Sequence, residues 1–164
     1  ANLRDAIRIG ASGKIITAFD MARILAMGAD WCNSARGFMF ALGCIQSQSC
    51  HTDRCPTGVA TQDPLRQQAL VVPDKAERVY NFHRHTLDAL RELVQAAGLA
   101  HPDRITASHI VRRGAGNDVR LLANLLPFLK PGELLAASRG ETDWPHNVYR
   151  LYWPLARSDS FRPA

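Results

Sequence analysis

Three thiols on one short stretch are the residues best equipped for chemistry. Cys44, Cys50 and Cys55 lie in the run Gly43-Cys44-Ile45-Gln46-Ser47-Gln48-Ser49-Cys50-His51-Thr52-Asp53-Arg54-Cys55-Pro56-Thr57-Gly58, with C-x5-C-x4-C spacing. So short a segment can curl until three thiolates converge, and soft thiolates gathered this way suit zinc or an iron–sulfur cluster. Structural zinc pairs usually stand about two to four residues apart, so the wider gaps favour an iron–sulfur core. Three ligands rather than four match a cluster with one iron missing from the cube. Zinc, or three thiols without any metal, stay open, because free cysteine is among the most buried residue types. His51 is either a hydrogen-bonding neighbour of cluster sulfur or a solvated one. Cys32 reads as a small buried thiol, with a fourth ligand as the alternative.

A second chemistry-bearing pattern precedes the cysteines. Ser12-Gly13-Lys14 follows a strand and leads into a helix, where backbone N–H groups can receive a phosphate. Asn33-Ser34-Ala35-Arg36-Gly37 repeats the arrangement, with Arg36 placed to add a guanidinium. Either loop alone would be a tight turn. Paired phosphate loops after consecutive strands are the habit of the last two units of a (β/α)8 barrel, which makes a flavin or another phosphorylated ligand a fair hypothesis. Gly114-Ala115-Gly116 lacks the third glycine of a dinucleotide fingerprint and follows no clear strand.

The elements that must position these residues read as β-α-β. Ile7 to Ala11 is β-like, Thr17 and Asp20 form a helix-start pair, and Ala18, Met21, Ala22 and Leu25 share a helical face that stops at Gly28. Ala29 to Asn33 reads as the next strand, and Gly37 to Leu42 as one or two helical turns. Two parallel strands need cover on both faces and both edges, so the chain is expected to be a piece of a larger protein. The remainder is expected to be helical. Val79, Phe82, Thr86, Leu90, Leu93, Val94 and Ala97 trace one face of a long helix between Pro73 and Gly98, with His83 and His85 as surface or packing residues. Val119, Leu121, Leu122, Leu125 and Leu126 suggest another helix, halted by Pro127 and Pro131. Trp144, Tyr149, Tyr152, Trp153 and Phe161 make an aromatic, irregular tail.

Composition sets the context. The chain has 164 residues, is 46% hydrophobic and 21% charged, and has no apolar run approaching a membrane span. Nothing at the N-terminus reads as a signal peptide, and the sequence does not open on Met. Four clustered cysteines argue against a secreted disulfide scaffold and for a reducing, cytoplasmic setting. The net charge of +5 is spread over scattered arginines without a basic block, so no nucleic-acid partner is expected.

From Ile7 to about Val72 the chain resembles the end of the FMN-binding domain of glutamate synthase, of the type lacking the N-terminal glutaminase domain. The residues carrying this are Ala11-Ser12-Gly13-Lys14, Phe19-Asp20, Gly28-Ala29-Asp30, Ala41-Leu42-Gly43-Cys44, Cys50-His51 and Cys55-Pro56-Thr57-Gly58-Val59-Ala60-Thr61-Gln62. From Lys75 onward the chain is similar to the tail of the same family. The resemblance implies an α/β fold, the C-terminal β-α-β portion of a (β/α)8 TIM-type barrel followed by a mainly helical tail. Residues 1–72 would end the FMN-binding barrel and carry the cysteine loop at 43–62, and 73–164 would pack on it as a helical extension. It implies a [3Fe-4S] cluster on Cys44, Cys50 and Cys55, and FMN phosphate loops at Ser12, Gly13 and Lys14 and at Ala35 and Arg36. Where the family commonly has Ser-Gly-Gly and Gly-x-Gly-Thr in these loops, this chain has Ser12-Gly13-Lys14 and Asn33-Ser34-Ala35-Arg36. Lys14 and Arg36 would substitute charge for backbone contacts.

The implied activity is that of a flavin-dependent oxidoreductase. Electrons pass from the cluster to FMN, which reduces the imine of 2-oxoglutarate and ammonia, or glutamine-derived ammonia, to L-glutamate. The electron donor would be ferredoxin or a nicotinamide-linked subunit. Residues holding 2-oxoglutarate would lie on earlier strands in the remainder of the barrel, so no catalytic residue is expected here. An N-substituted glutamate synthase using another amine, and a non-enzymatic module stapled by zinc or a cluster, are the alternatives.

Overall fold

The computed structural model describes residues 2–160 and Arg162, and the chain is mixed α/β. It divides into two compact units, residues 9–109 and residues 1–8 with 110–164.

In the unit 9–109, strand β1 (Gly10–Ser12) pairs in parallel with β2 (Trp31–Asn33), Ala11 standing opposite Cys32. Helix α1 (Ala18–Ala26) connects them. Both strands start later than the sequence suggests. Asp30 fixes the approach instead, accepting a hydrogen bond from the Ile9 N–H (2.7 Å) and donating its own N–H to the Ile9 carbonyl (2.8 Å). The expected helix start is present as a complete capping box. The Thr17 hydroxyl accepts from the Asp20 N–H, and the Asp20 carboxylate accepts from Thr17. Those bonds, the Thr17 N–H first, hold the Asp20 carboxyl below its ordinary value.

Helix α2 (Arg36–Leu42) follows β2, and after the cysteine loop come α3 (Pro64–Gln67) and α4 (Val72–Ala96). The long helix begins one residue before Pro73 rather than after it, because a proline in the first turn forfeits only an N–H that has no helical partner. Leu90 and Val94 on its expected face are buried, while Ala97 is exposed. The helix packs against both α1 and α2. Its contact with α2 depends on Gly37, where an added Cβ would stand 2.7 Å from the Phe82 ring. That bare backbone lets Phe82 meet Phe38 edge-on at 5.2 Å.

The second unit departs further from expectation. Val119 to Leu126 is not a helix. Val119–Leu121 is strand β4, antiparallel to β3 (Val111–Arg113), and Leu122–Asn124 is a 3-10 turn. The triplets Val-Arg-Arg and Val-Arg-Leu alternate in register, with Arg112 opposite Arg120, and a hairpin lets both pair locally. Gly114-Ala115-Gly116 lies in this hairpin turn; it does follow a strand, but returns the chain to a second strand rather than to a helix. The Leu122 N–H donates to the Ile110 carbonyl at 2.8 Å at the base of the ribbon, and both residues are buried, as are Leu134 and Ala137 in this unit. Helices α5 (Glu133–Ser138) and α6 (Asn147–Tyr152) follow, so the tail is more regular than expected, and Phe161 lies outside the described residues. No helix among the described residues is long and apolar enough to cross a membrane.

Candidate functional site

The cysteine loop starts where α2 stops. Gly43 takes the left-handed conformation (φ 109°), and the Cys44 N–H then reaches back to the Met39 carbonyl at 3.0 Å, which fixes how the half-buried Cys44 leaves the helix. Lys75 on α4 brings its ammonium group to this helix end, 3.8 Å from where a Gly43 Cβ would stand; a cation there is favoured by the helix dipole. Cys50 opens an exposed 3-10 turn, Cys50–Thr52, closed by a bond from the Thr52 hydroxyl to the Ser49 carbonyl at 2.8 Å. Asp53 then ties this turn to the far end of the loop. Its carboxylate accepts the Gln62 N–H at 2.5 Å, and its carbonyl accepts the Thr61 hydroxyl at 2.6 Å.

Inside that closed loop Cys55 is 5% exposed. Its sulfur faces a cluster of donors: the Thr57 hydroxyl at 3.5 Å and the backbone N–H groups of Ala60, Thr57 and Val59. The Thr57 hydroxyl first, then the Ala60 and Thr57 amides, pull the thiol down from its ordinary value to about 7, against the opposing effect of burial. Gly58 makes the turn possible. It has φ +74°, and any Cβ there would collide with the Arg66 carbonyl oxygen. The Cys-Pro-Thr-Gly-Val-Ala-Thr-Gln run thus wraps the Cys55 sulfur in hydrogen-bonding groups. His51 is exposed and hydrogen-bonds no sulfur among the described residues.

The two phosphate-type loops sit at the same end of neighbouring parallel strands. Ser12, Gly13 and Lys14 are exposed, with Gly13 at φ +113° and Lys14 at φ 54°, and the space beside Gly13 is open. Ala35 is the residue before α2, Arg36 is its first residue, and both are exposed. Ser34 joins the loops by donating its hydroxyl to the Ile15 carbonyl at 2.6 Å. Open backbone and two cations on tethered loops are a donor set that fits a phosphorylated ligand.

Cys32 lies apart from this edge. Within β1 and β2 alternate residues share a face, so Ala11 and Cys32 turn together towards the helices. Cys32 lines a cavity of about 110 Å³ with Met21, Phe38, Phe82 and Leu87, and burial pushes its thiol up. Its surroundings in this cavity are mainly apolar side chains and rings.

The residues brought together are therefore the two loops and the donors around Cys55. Cys44, Cys50 and Cys55 are all free thiols, which fits thiolate ligation. Among the described residues, however, no three His, Cys, Asp or Glu side chains form a group close enough to hold a metal ion. Sequence reasoning does not single out Thr57 or Lys75. Thr57 stands two residues from a named cysteine, a proximity that could have drawn notice; nothing local pairs Lys75 with Gly43.

A family described as a conserved region in glutamate synthase matches residues 1–100. The glutamate synthase large subunit-like protein YerD of Bacillus subtilis is 43% identical over 124 residues, covering 76% of this chain and 24% of that protein. Glutamate synthase [NADH] of Schizosaccharomyces pombe is 30% identical over 162 residues, covering 94% of this chain and 7% of the relative. Ferredoxin-dependent glutamate synthase of Pyropia yezoensis is 34% identical over 108 residues, covering 65% and 7%. The chain spans a quarter or less of the length of these relatives.

Proposed function

This chain belongs to the glutamate synthase family, and from that premise we propose that it is the C-terminal part of a flavin- and cluster-dependent oxidoreductase that makes L-glutamate. The observation that carries the reading is the set of hydrogen-bonding groups around the Cys55 sulfur, in a loop that supplies two further free thiols. Cys44, Cys50 and Cys55 would hold a [3Fe-4S] cluster, and Ser12, Gly13, Lys14, Ala35 and Arg36 the phosphate of FMN. When bound, these groups would supply single-electron delivery to the flavin and hydride transfer to the imine of 2-oxoglutarate and ammonia.

The work of this chain is to bind and orient. The amides of Thr57, Val59 and Ala60 would stabilise negative charge on the Cys55 sulfur, and Cys44 and Cys50 would supply the other two thiolates, ligand gathering being coupled to binding. The Ser34–Ile15 bond ties the two phosphate loops together, and Lys14 and Arg36 would neutralise the phosphate. In this reading residues 1–72 close a (β/α)8 barrel with the cysteine loop at 43–62, residues 73–164 extend it, and the remainder of the barrel holds 2-oxoglutarate. The electron donor is a ferredoxin or a nicotinamide-linked subunit, and the enzyme works in the cytoplasm.

The test is iron and acid-labile sulfide analysis of the full-length protein purified without oxygen, with Cys50→Ala alongside. Iron and sulfide in a three-to-four ratio, lost in the variant, support the proposal. Zinc without sulfide overturns it and leaves the cysteines as a structural staple.

A further inference from the structure

We propose that the cavity enclosed by α1, β2, α2 and α4 is a binding site for a single small apolar ring, a neutral molecule of benzene size. It lies within the unit 9–109 and is independent of any group held by the cysteine loop.

The lining decides the chemistry. Met21 on α1, Cys32 on β2, Phe38 on α2, and Phe82, His83 and Leu87 on α4 face a cavity of about 110 Å³. No Lys, Arg, Asp or Glu is among its lining residues, so a phosphate or carboxylate would lose its hydration without gaining a fixed counter-charge. The two hydroxyls in the wall are already engaged. Ser34 donates to the Ile15 carbonyl at 2.6 Å, and Thr86 donates to the Phe82 carbonyl at 2.7 Å. A sugar or other polyol would therefore bury hydroxyls with few partners. Cys32 adds no charge, since burial pushes its thiol up, and a neutral thiol behaves as a small hydrophobe. What remains is a surface of rings, sulfur and aliphatic carbon.

Size and shape then choose the occupant. An engineered apolar cavity of roughly 150 Å³ takes benzene. At about 110 Å³ this one suits one ring and is too small for a fused pair. Phe38 meets Phe82 edge-on at 5.2 Å, and the His83 ring stands 5.9 Å from Phe38. A further ring can join this cluster edge-on, the arrangement that ring quadrupoles favour, with the Met21 sulfur as an added contact. Leu87 is 44% exposed and His83 is exposed, which puts the entrance on the α4 side. Ser34 and Ile15 also make the bond that joins the phosphate loops, so the variants that test the cavity leave both untouched.

The experiment titrates benzene into the full-length protein carrying isotope-labelled methionine methyl groups and follows the Met21 resonance, assigned with Met21→Leu. Glycerol serves as the polar control. Leu87→Trp closes the entrance from an exposed position, and Cys32→Leu fills the space from the strand; circular dichroism shows whether each is folded. The expected result is a saturable shift of the Met21 methyl with benzene, no shift with glycerol, and loss of the benzene response in each folded variant. Alkylation of Cys32 by iodoacetamide should also slow when benzene is present. No saturable shift in the parent protein overturns the site. A response to glycerol equal to that to benzene, or an unaltered benzene response in a folded variant, does the same.

Discussion

The two units of this chain bury apolar surface to very different extents. In residues 9–109, Ile15, Ala18, Ala22, Ala26, Leu90 and Val94 are buried, and α1 packs on the long α4. In the unit of 1–8 and 110–164, both strands of the ribbon are exposed along their whole length, and Val111 and Val119 stand 55% and 58% open. Charge divides as unevenly. Residues 9–109 carry ten Lys and Arg against nine Asp and Glu, while the smaller unit carries ten against six. The excess that looks diffuse along the sequence therefore belongs mainly to the unit without the cysteines. The candidate site sits on the nearly neutral, helix-packed unit, where distant side chains can hold a loop still. The ribbon is held by its own ladder, and a two-stranded ribbon alone is marginal in water.

Truncating core against ribbon is the strongest way to break this contrast. Leu90→Ala is expected to cost about 3 kcal/mol, as buried leucines do, and Val111→Ala about 0.5 kcal/mol or less, as exposed positions do. Hydrogen exchange of the native protein checks it: α4 amides should lose protection in the first variant and remain protected in the second. Equal effects would mean that the ribbon is as tightly packed as the core. Glycine substitutions sharpen the same comparison. Gly58→Ala meets both a positive φ and the Arg66 carbonyl and should cost at least about 2 kcal/mol, with cluster content lost. Gly116→Ala meets only its positive φ, in open space, and should cost about 1 kcal/mol.

Smaller effects come from the cap and the thiols. Thr17→Ala should cost about 1 kcal/mol in denaturant unfolding. Because the Asp20 carboxyl is held below its ordinary value of 3.8, the cap stabilises fully above that pH and its contribution fades as pH falls below it. Thr17→Ala should therefore cost least in acid. In cluster-free protein, thiolate absorbance should show one cysteine titrating near pH 7 and missing in Cys55→Ser. Another should titrate above the ordinary range of 9.0 and be missing in Cys32→Ala. If both titrate together, the donors around Cys55 do not act on its sulfur.

Much of the packed unit is legible in the sequence because its signals are local. Thr17 and Asp20 announce a cap across one turn, and alternate residues of the parallel strands need only be counted. The ribbon is not legible in the same way. Val119, Leu121, Leu122, Leu125 and Leu126 satisfy a helical period, while the pairing that overrides it joins Val119 to Arg113 across a turn. Around the cysteines, the Cys-Pro-Thr-Gly run marks a chemistry but does not show which atoms face the sulfur.

By itself, then, the sequence determined the family, the thiols, the α1 cap and the loops that follow each strand, all of which are carried by residue types in short contiguous motifs. Tertiary structure alone decided that Ser34 would bond Ile15, that Lys75 would reach the end of α2, that Phe82 would press on Gly37, and that Cys32 would line a cavity with Phe38 and Phe82. Each of those contacts joins segments distant in sequence, and its geometry exists only once both elements have formed and packed.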